Sequence, residues 1–149
     1  MRRIPVLLIL FLLQLSVGCT EEPPVPAVSE KALVPSAFTF VAKKTEATGL
    51  RNEMKLYALN KEFNAGDFRT FCATQKAEAT AQAFTYVVLF DDAKNADFPD
   101  TPFTAMFGVE EGKMKHIIAV FEYNRMNGFC EMTTYDPNMW EGNPVIEKL

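Results

Sequence analysis

The stretch FTYVVLF, residues 84–90, decides the fold. Successive side chains of a strand point to opposite faces of its sheet, so the even-numbered positions share one face and the odd-numbered positions share the other. Both sets are apolar except for Thr85. A strand that is apolar on both sides is typical of the middle of a sheet with two covered faces. We therefore expect a central strand here, with a covering layer on each side.

Four other segments show the alternation of apolar and polar residues that marks strands. They are residues 37–43, 53–59, 116–123 and 129–135. The first two are joined by a polar stretch, which predicts an antiparallel hairpin with a long loop. Between the last two, Asn127-Gly128 predicts a tight turn, because both residues tolerate positive φ.

One amphipathic helix is predicted between the second strand and the central strand. Its apolar stripe recurs at helical spacing and consists of Phe68, Phe71, Cys72, Gln75 and Ala79. Asn64 is a suitable N-cap, and Asp67 stands three residues later, close to a capping-box position. We expect this helix to end near Ala81.

The element order is therefore ββαβββ, an α+β fold with one helix packed on a mainly antiparallel sheet of about five strands. Residues 36–149 are expected to form this single globular domain, with residues 136–149 as an irregular tail. One helix cannot cover both faces of such a sheet. The apolar patch at 103–107, the tail around Trp140 or a partner must cover the second face.

Composition excludes several classes of function. The 149 residues are 48% hydrophobic and carry a net charge of −4, which argues against a nucleic-acid partner. A single His and three Cys leave little material for a metal site, and no cofactor motif is present. The only serines outside the first 18 residues are Ser29 and Ser36, so a serine–histidine–aspartate triad is not expected, and no catalytic residue is assigned.

The N-terminus has the form of an export signal. A basic start, Met1-Arg2-Arg3, precedes the apolar run 4–17, which is too short to span a membrane comfortably. The run ends in Leu15-Ser16-Val17-Gly18-Cys19, which resembles the lipobox of bacterial lipoproteins, with Ser16 where Leu is usual. The alternatives are an ordinary secretory cleavage and an uncleaved N-terminal anchor.

The lipobox resemblance implies that residues 1–18 are a signal peptide and that Cys19 carries acyl chains, palmitate among them, which insert into the lipid bilayer. Residues 19–35 then form a tether, because TEEPPVPAVSEKALVP contains four prolines and no apolar period. Thr20, rather than Asp, follows Cys19, which resembles lipoproteins sorted to the outer membrane. The expected location is the bacterial cell envelope, at the outer membrane by that sorting rule, facing the periplasm or the surface.

Two cysteines remain in the domain once Cys19 is lipidated. Cys72 lies on the apolar stripe of the helix, and Cys130 shares a strand face with Met132 and Thr134. An even pair in an exported domain favours a Cys72–Cys130 disulfide. The alternative is two buried, unpaired thiols.

Three residues are candidate partner contacts. Arg125 and Met126 are expected at the exposed tip of the last hairpin, and Trp140 lies in the C-terminal tail. The alternative for the aromatic residues near this hairpin is that they complete the core. The sequence thus favours a non-enzymatic binding or structural module that contacts an envelope protein or glycan.

Two other functions stay open at this point. The first is a carboxylate-based hydrolase of envelope glycan or peptide, and the second is an inhibitor of a foreign enzyme. Candidate acids for the hydrolase lie in the 91–100 loop or are drawn from Glu110, Glu111, Glu122 and Glu131. A cleft that holds two acids, one of them with a raised pKa, favours the enzyme. A flat or convex surface with an aromatic patch favours the binding module.

Overall fold

The computed structural model describes residues 37–47, 50–105, 107 and 110–149. The expected signal peptide, Cys19 and all of the expected tether lie outside the described residues, as does Ser36. The described strands are β1 (Phe38–Thr45), β2 (Glu53–Leu59), β3 (Phe84–Phe90), β4 (Ile117–Asn124), β5 (Cys130–Asp136) and β6 (Asn143–Lys148). The helices are α1 (Ala65–Glu78) and the single-turn α2 (Glu111–Met114).

The strands form one sheet in the order β1-β2-β3-β4-β5-β6. Only β2 and β3 are parallel, because α1 carries the chain back across the sheet between them, and every other neighbouring pair is antiparallel. The expected α+β arrangement, with one main helix on a mainly antiparallel sheet, is therefore confirmed.

The expected number of strands is wrong, because residues 143–148 are not irregular. They form β6, which pairs antiparallel with β5. Pro144 concealed this strand, because proline is rare in strands except on an outer edge or where its missing N–H is not needed. β6 is an outer strand, and the backbone of Pro144 points away from β5, so no hydrogen bond within the sheet needs its missing N–H.

Helix α1 begins as the sequence predicts. The Asn64 side-chain oxygen accepts a hydrogen bond from the Asp67 backbone N–H at 3.0 Å, which satisfies one of the unpaired donors of the first turn. The helix ends at Glu78, three residues before the expected end at Ala81. Its buried side chains, Phe68, Cys72 and Gln75, face the sheet.

Each face of the sheet has its own core. The face under α1 buries an apolar cluster from the helix and four strands: Phe38, Phe68, Cys72, Val87, Leu89, Ala119, Phe121, Cys130 and Met132. The opposite face buries a second cluster: Met54, Leu56, Tyr86, Val88, Phe90, Phe103, Phe107, Ile117 and Val120. β3 contributes to both clusters, as its two apolar sides predict.

The covering layer of the second face comes from the long connection between β3 and β4. Phe103 and Phe107 from this connection are buried in the second cluster, so of the three alternatives for covering this face the structure shows the 103–107 patch in place. Met139 packs against the same cluster, whereas its neighbour Trp140 is exposed. Trp140 therefore does not complete the core.

The β4–β5 turn is longer than the two-residue turn predicted from Asn127-Gly128. Asn124 N–H donates to the Phe129 carbonyl at 2.8 Å, which leaves four residues in the loop, and Gly128 N–H donates to the Asn124 carbonyl at 2.9 Å. Gly128 has the expected positive φ, at 76°, whereas Asn127 does not share it. The positive-φ requirement therefore falls on the glycine alone.

Candidate functional site

The most exposed apolar feature of the sheet is its last strand. β6 is an outer strand, and Val145 and Ile146 at its centre are 65% and 58% exposed on opposite faces. Large β-branched side chains with this exposure are unusual on an outer strand, where natural proteins tend to place charges, bulges or covering loops. We call β6 together with its unpaired backbone the β6 edge.

The backbone groups on the β6 edge follow from the pairing with β5. Leu149 N–H donates to the Cys130 carbonyl at 3.0 Å, so the backbone groups of Leu149 point toward β5. In an antiparallel pair, alternate residues face the neighbouring strand, so the backbone groups of Ile146 and Lys148 point away from it. Pro144 falls in the same outward set. The β6 edge therefore offers two N–H donors and three carbonyl acceptors.

One ion pair fastens β6 to α1. Arg69 donates to both carboxylate oxygens of Glu147, with 2.6 Å between Nε and Oε1. The hydrogen bond from Arg69 lowers the pKa of the Glu147 carboxyl. Burial opposes this shift, and the attraction of the Arg69 charge adds to it. Lys76 Nζ also donates to the Leu149 backbone oxygen at 3.4 Å. The side facing α1 is thus held in place, and the outer edge is left exposed.

The hairpin tip lies beside the end of β6. Asn127, Gly128, Phe129 and Cys130 from the tip region share a depression of about 470 Å³ with Lys148 and Leu149. Met126 is 70% exposed, as expected for a tip residue. Arg125 is also exposed, but its Nε donates to the Gln82 carbonyl at 3.1 Å, so it anchors the tip to the segment before β3. Met126 is the freer of the two predicted contacts.

Trp140 lies in the turn between β5 and β6 and is 44% exposed. Asn138 organises this turn, because its side-chain oxygen accepts the N–H groups of Trp140 and Glu141, both at 3.0 Å. The predicted contacts at the hairpin tip and at Trp140 are therefore connected by β6, which the sequence analysis missed. The available signal was the adjacent β-branched pair Val145-Ile146, a residue type that favours strands.

Two of the candidate acids face each other on the sheet. Glu122 of β4 lies directly opposite Glu131 of β5, and Tyr86 of β3 lies opposite Glu122 on its other side. Burial, together with the nearby charge of Glu131, raises the pKa of Glu122. Burial and then Glu122 raise the pKa of Tyr86 to about 12. This row meets one part of what the hydrolase hypothesis requires, a pair of acids in which one has a raised pKa.

Three of the other candidate acids share one charged partner. Lys113 Nζ lies 3.0 Å from Glu110, 3.1 Å from Asp100 and 3.5 Å from Asp97, so these acids surround one ammonium group. Burial acts to lower the pKa of Lys113, but the hydrogen bonds to Glu110 and Asp100 act in the opposite direction, and the pKa is raised overall. Glu111 is exposed on α2. Within the described ranges, no three His, Cys, Asp or Glu side chains are grouped to hold a metal ion.

Cys72 and Cys130 lie in the same core cluster, between α1 and β5, as the sequence analysis places them. Both are buried, and both are free cysteines in this structure, so the disulfide remains a prediction for the exported protein. Burial, and to a smaller extent Cys130, raises the pKa of the Cys72 thiol. The folded domain therefore suppresses the thiolate that oxidation requires.

No protein-family model, curated protein or solved structure matches this chain. In the described part of the chain, no helix has the length and apolar character needed to cross a membrane. The function is therefore inferred from the geometry of the chain itself.

Proposed function

We propose that this chain is a lipid-anchored, non-enzymatic binding module of the bacterial cell envelope, which contacts a protein partner through the β6 edge. The observation that carries the proposal is the set of exposed apolar side chains along this edge: Trp140, Val145 and Ile146, with Met126 at the hairpin tip. Exposed sheet edges bind extended segments, because main-chain hydrogen bonds supply affinity and alternate side chains supply specificity.

The shape of the surface supports an edge contact. One depression of about 470 Å³ lies at the tip end of β6, and another of about 320 Å³ lies at its start, lined by Val145 together with Phe63, Ile118 and Pro137. A further depression of about 650 Å³ lies at the β1–β2 loop. The two depressions at the ends of β6 could receive side chains of a bound segment.

Acyl chains on Cys19 would provide the membrane attachment. One acyl chain gives only reversible binding, whereas two or more hold a protein stably. Removing Arg2 and Arg3 with the signal peptide changes the net charge from −4 to −4 − 2 = −6, so anionic head groups repel the mature chain. The sixteen residues 20–35 could carry the domain up to roughly 50 Å from the bilayer, at about 3.1 Å per residue.

The anchor is tested by Cys19→Ala in cells grown with labelled palmitate. The wild-type protein is expected to carry the label and to fractionate with membranes, and the variant is expected to lose both or to remain an unprocessed precursor. Equal labelling of the two proteins would contradict the lipoprotein proposal and leave the β6 edge unaffected.

The contact surface is tested by placing a photo-crosslinking amino acid at Ile146 and, as a control, at Phe40 of β1. The two side chains are similarly exposed, at 58% and 53%, but belong to opposite edges of the sheet. Illumination of cells is expected to give a discrete protein adduct from position 146 and none from position 40. Matching adducts from both positions, or none from position 146, would overturn the proposed contact.

A carboxylate-based hydrolase is the second candidate, and the Glu122–Glu131 pair favours it. The raised pKa of Glu122 would suit a general acid, with Glu131 as the second carboxyl group of the pair. However, neither residue lines the three depressions described above. Incubation of the mature protein with purified envelope glycan tests this candidate: hydrolysis that Glu122→Gln abolishes would establish it, and the absence of any product would remove it.

A further inference from the structure

We infer that the segment bound at the β6 edge is β6 of a second copy of this chain, paired antiparallel around a two-fold axis at Ile146. The inference rests on the proposed function, because it names the partner of that same edge. Symmetric pairing uses one surface patch twice, so a strand that is complementary to itself is sufficient to build the interface.

The hydrogen-bonding groups of β6 are self-complementary in this register. Ile146 and Lys148 carry the outward N–H groups, and Pro144 carries an outward carbonyl without an N–H. With Ile146 opposite its copy, the two Ile146 residues exchange two hydrogen bonds. Lys148 of each copy then donates to Pro144 of the other, so every outward N–H of β6 finds an acceptor. The proline falls where its missing donor is needed least.

The neighbouring symmetric registers are less favourable. Centring the axis on Glu147 also allows four hydrogen bonds, but it places the two Glu147 carboxylates directly opposite each other. Centring the axis on Lys148 places two ammonium groups directly opposite each other. Centring it on Pro144 removes the central donors. Centring it on Val145 leaves Lys148 beyond the end of the partner strand. The Ile146 register keeps four bonds and opposes Ile146 to Ile146 and Val145 to Glu147.

The other edge of the sheet lacks this complementarity. β1 is interrupted by a bulge between Phe40 and Ala42, and Lys43 and Lys44 follow it. Bulges and lysines are features that protect outer strands from pairing. A second copy is therefore expected at β6 and not at β1, which gives a closed dimer rather than an open chain of sheets.

The proposed anchoring would assist a small interface of this kind. Copies tethered to one membrane share a layer no thicker than the reach of the tether, so their local concentration exceeds that of the same number of dissolved molecules. Four hydrogen bonds and a few apolar contacts can then populate a dimer that dilute soluble protein would populate weakly.

The test is cysteine cross-linking of the full chain in membranes, with Ile146→Cys compared with Val145→Cys. In the proposed register the two Ile146 Cα atoms are about 5.5 Å apart, within disulfide range, whereas the two Val145 Cα atoms are about 8 Å apart and outside it. With copper–phenanthroline and dissolved oxygen to accept the two electrons, Ile146→Cys is expected to give roughly tenfold more disulfide dimer than Val145→Cys. The unmodified chain is the background control.

Three results would overturn the inference. These are dimer formation that is equal at the two positions, dimer formation that is stronger from Val145→Cys, and the absence of dimer from both. If the photo-crosslinker at position 146 still captures a different protein in the last case, the proposed function survives and only the second copy is excluded. Ile146→Pro gives an independent check, because it removes an outward N–H and leaves the bonds to β5 in place, and it should abolish the dimer of the wild-type chain.

Discussion

The two outer strands of the sheet show that position at an edge does not by itself create a contact surface. β1 has its Phe38 buried in the helix-side core, a bulge after Phe40, and lysines whose charges are used within the domain: Lys43 lies 3.3 Å from Glu53, and Lys44 lies over the Phe98 ring. β6 contributes no residue to the two buried clusters and exposes its aliphatic pair. Of the two outer strands, β1 is therefore joined to the core through Phe38, whereas β6 is the more accessible.

The largest expected difference between the edges is in stability. Phe38→Ala should lower the free energy of unfolding by roughly 3–5 kcal/mol, because it opens a cavity among Phe68 and Phe71. Val145→Ala, on the exposed strand, should change it by less than about 0.5 kcal/mol. Urea unfolding of the mature domain measures both, and similar losses would contradict the contrast.

A disulfide between Cys72 and Cys130 would stabilise the part of the domain to which β6 is attached. Cys72 and Cys130 are expected to be linked in the exported protein, which would join α1 to the strand beside β6. Closing the loop between residues 72 and 130 contributes about 4 kcal/mol in the chain-entropy model, so reduction should lower the melting temperature clearly. Mass spectrometry of alkylated, non-reduced protein checks the link, and recovery of both thiols alkylated would disprove it.

The β4–β5 turn, which positions the strand that pairs with β6, depends on one backbone conformation. Gly128 has φ of 76°, and a β-carbon there would meet no atom within 4 Å, so substitution costs strain rather than steric overlap. Gly128→Val should therefore destabilise the domain by roughly 1–2 kcal/mol. Gly128→Asn is the matched control, since Asn tolerates this conformation, and thermal unfolding should show a clearly smaller loss. Equal losses of stability in the two variants would show that the positive φ at residue 128 is not the cause of the destabilisation.

The smallest expected effect is the pH dependence of β6 itself. Arg69 lowers the pKa of Glu147 below its ordinary 4.5, so the ion pair stabilises the attachment of β6 above that pH and is lost as the pH falls through the lowered value. NMR shifts of the Val145 amide should report this loosening in acid, with β1 unchanged. Glu147→Gln should remove the dependence, and a transition of the same size in that variant would assign it to another group.

The features that the sequence predicts and those that it misses differ in whether they depend on local patterns or on pairing between distant segments. The two-sided apolar pattern of 84–90 and the capping by Asn64 depend on short-range rules, and the structure confirms both. β6 depends on a partner strand and on Pro144 facing outward, neither of which local pattern reveals. The juxtaposition of Glu122 with Glu131 requires the register between two strands, and the four-residue turn shares its Asn-Gly signal with the two-residue one. Long-range pairing, rather than local preference, decided each of these cases.

Amide hydrogen exchange of the mature domain, measured as protein concentration is raised into the mM range, tests most directly whether β6 is the pairing edge. The outward N–H groups of Ile146 and Lys148 are unpaired within one copy, so they should exchange quickly in dilute protein and slow markedly as copies pair. The outward N–H groups of β1 should keep one rate throughout. Fast exchange at Ile146 and Lys148 at every concentration, or equal slowing at β1, would contradict the account.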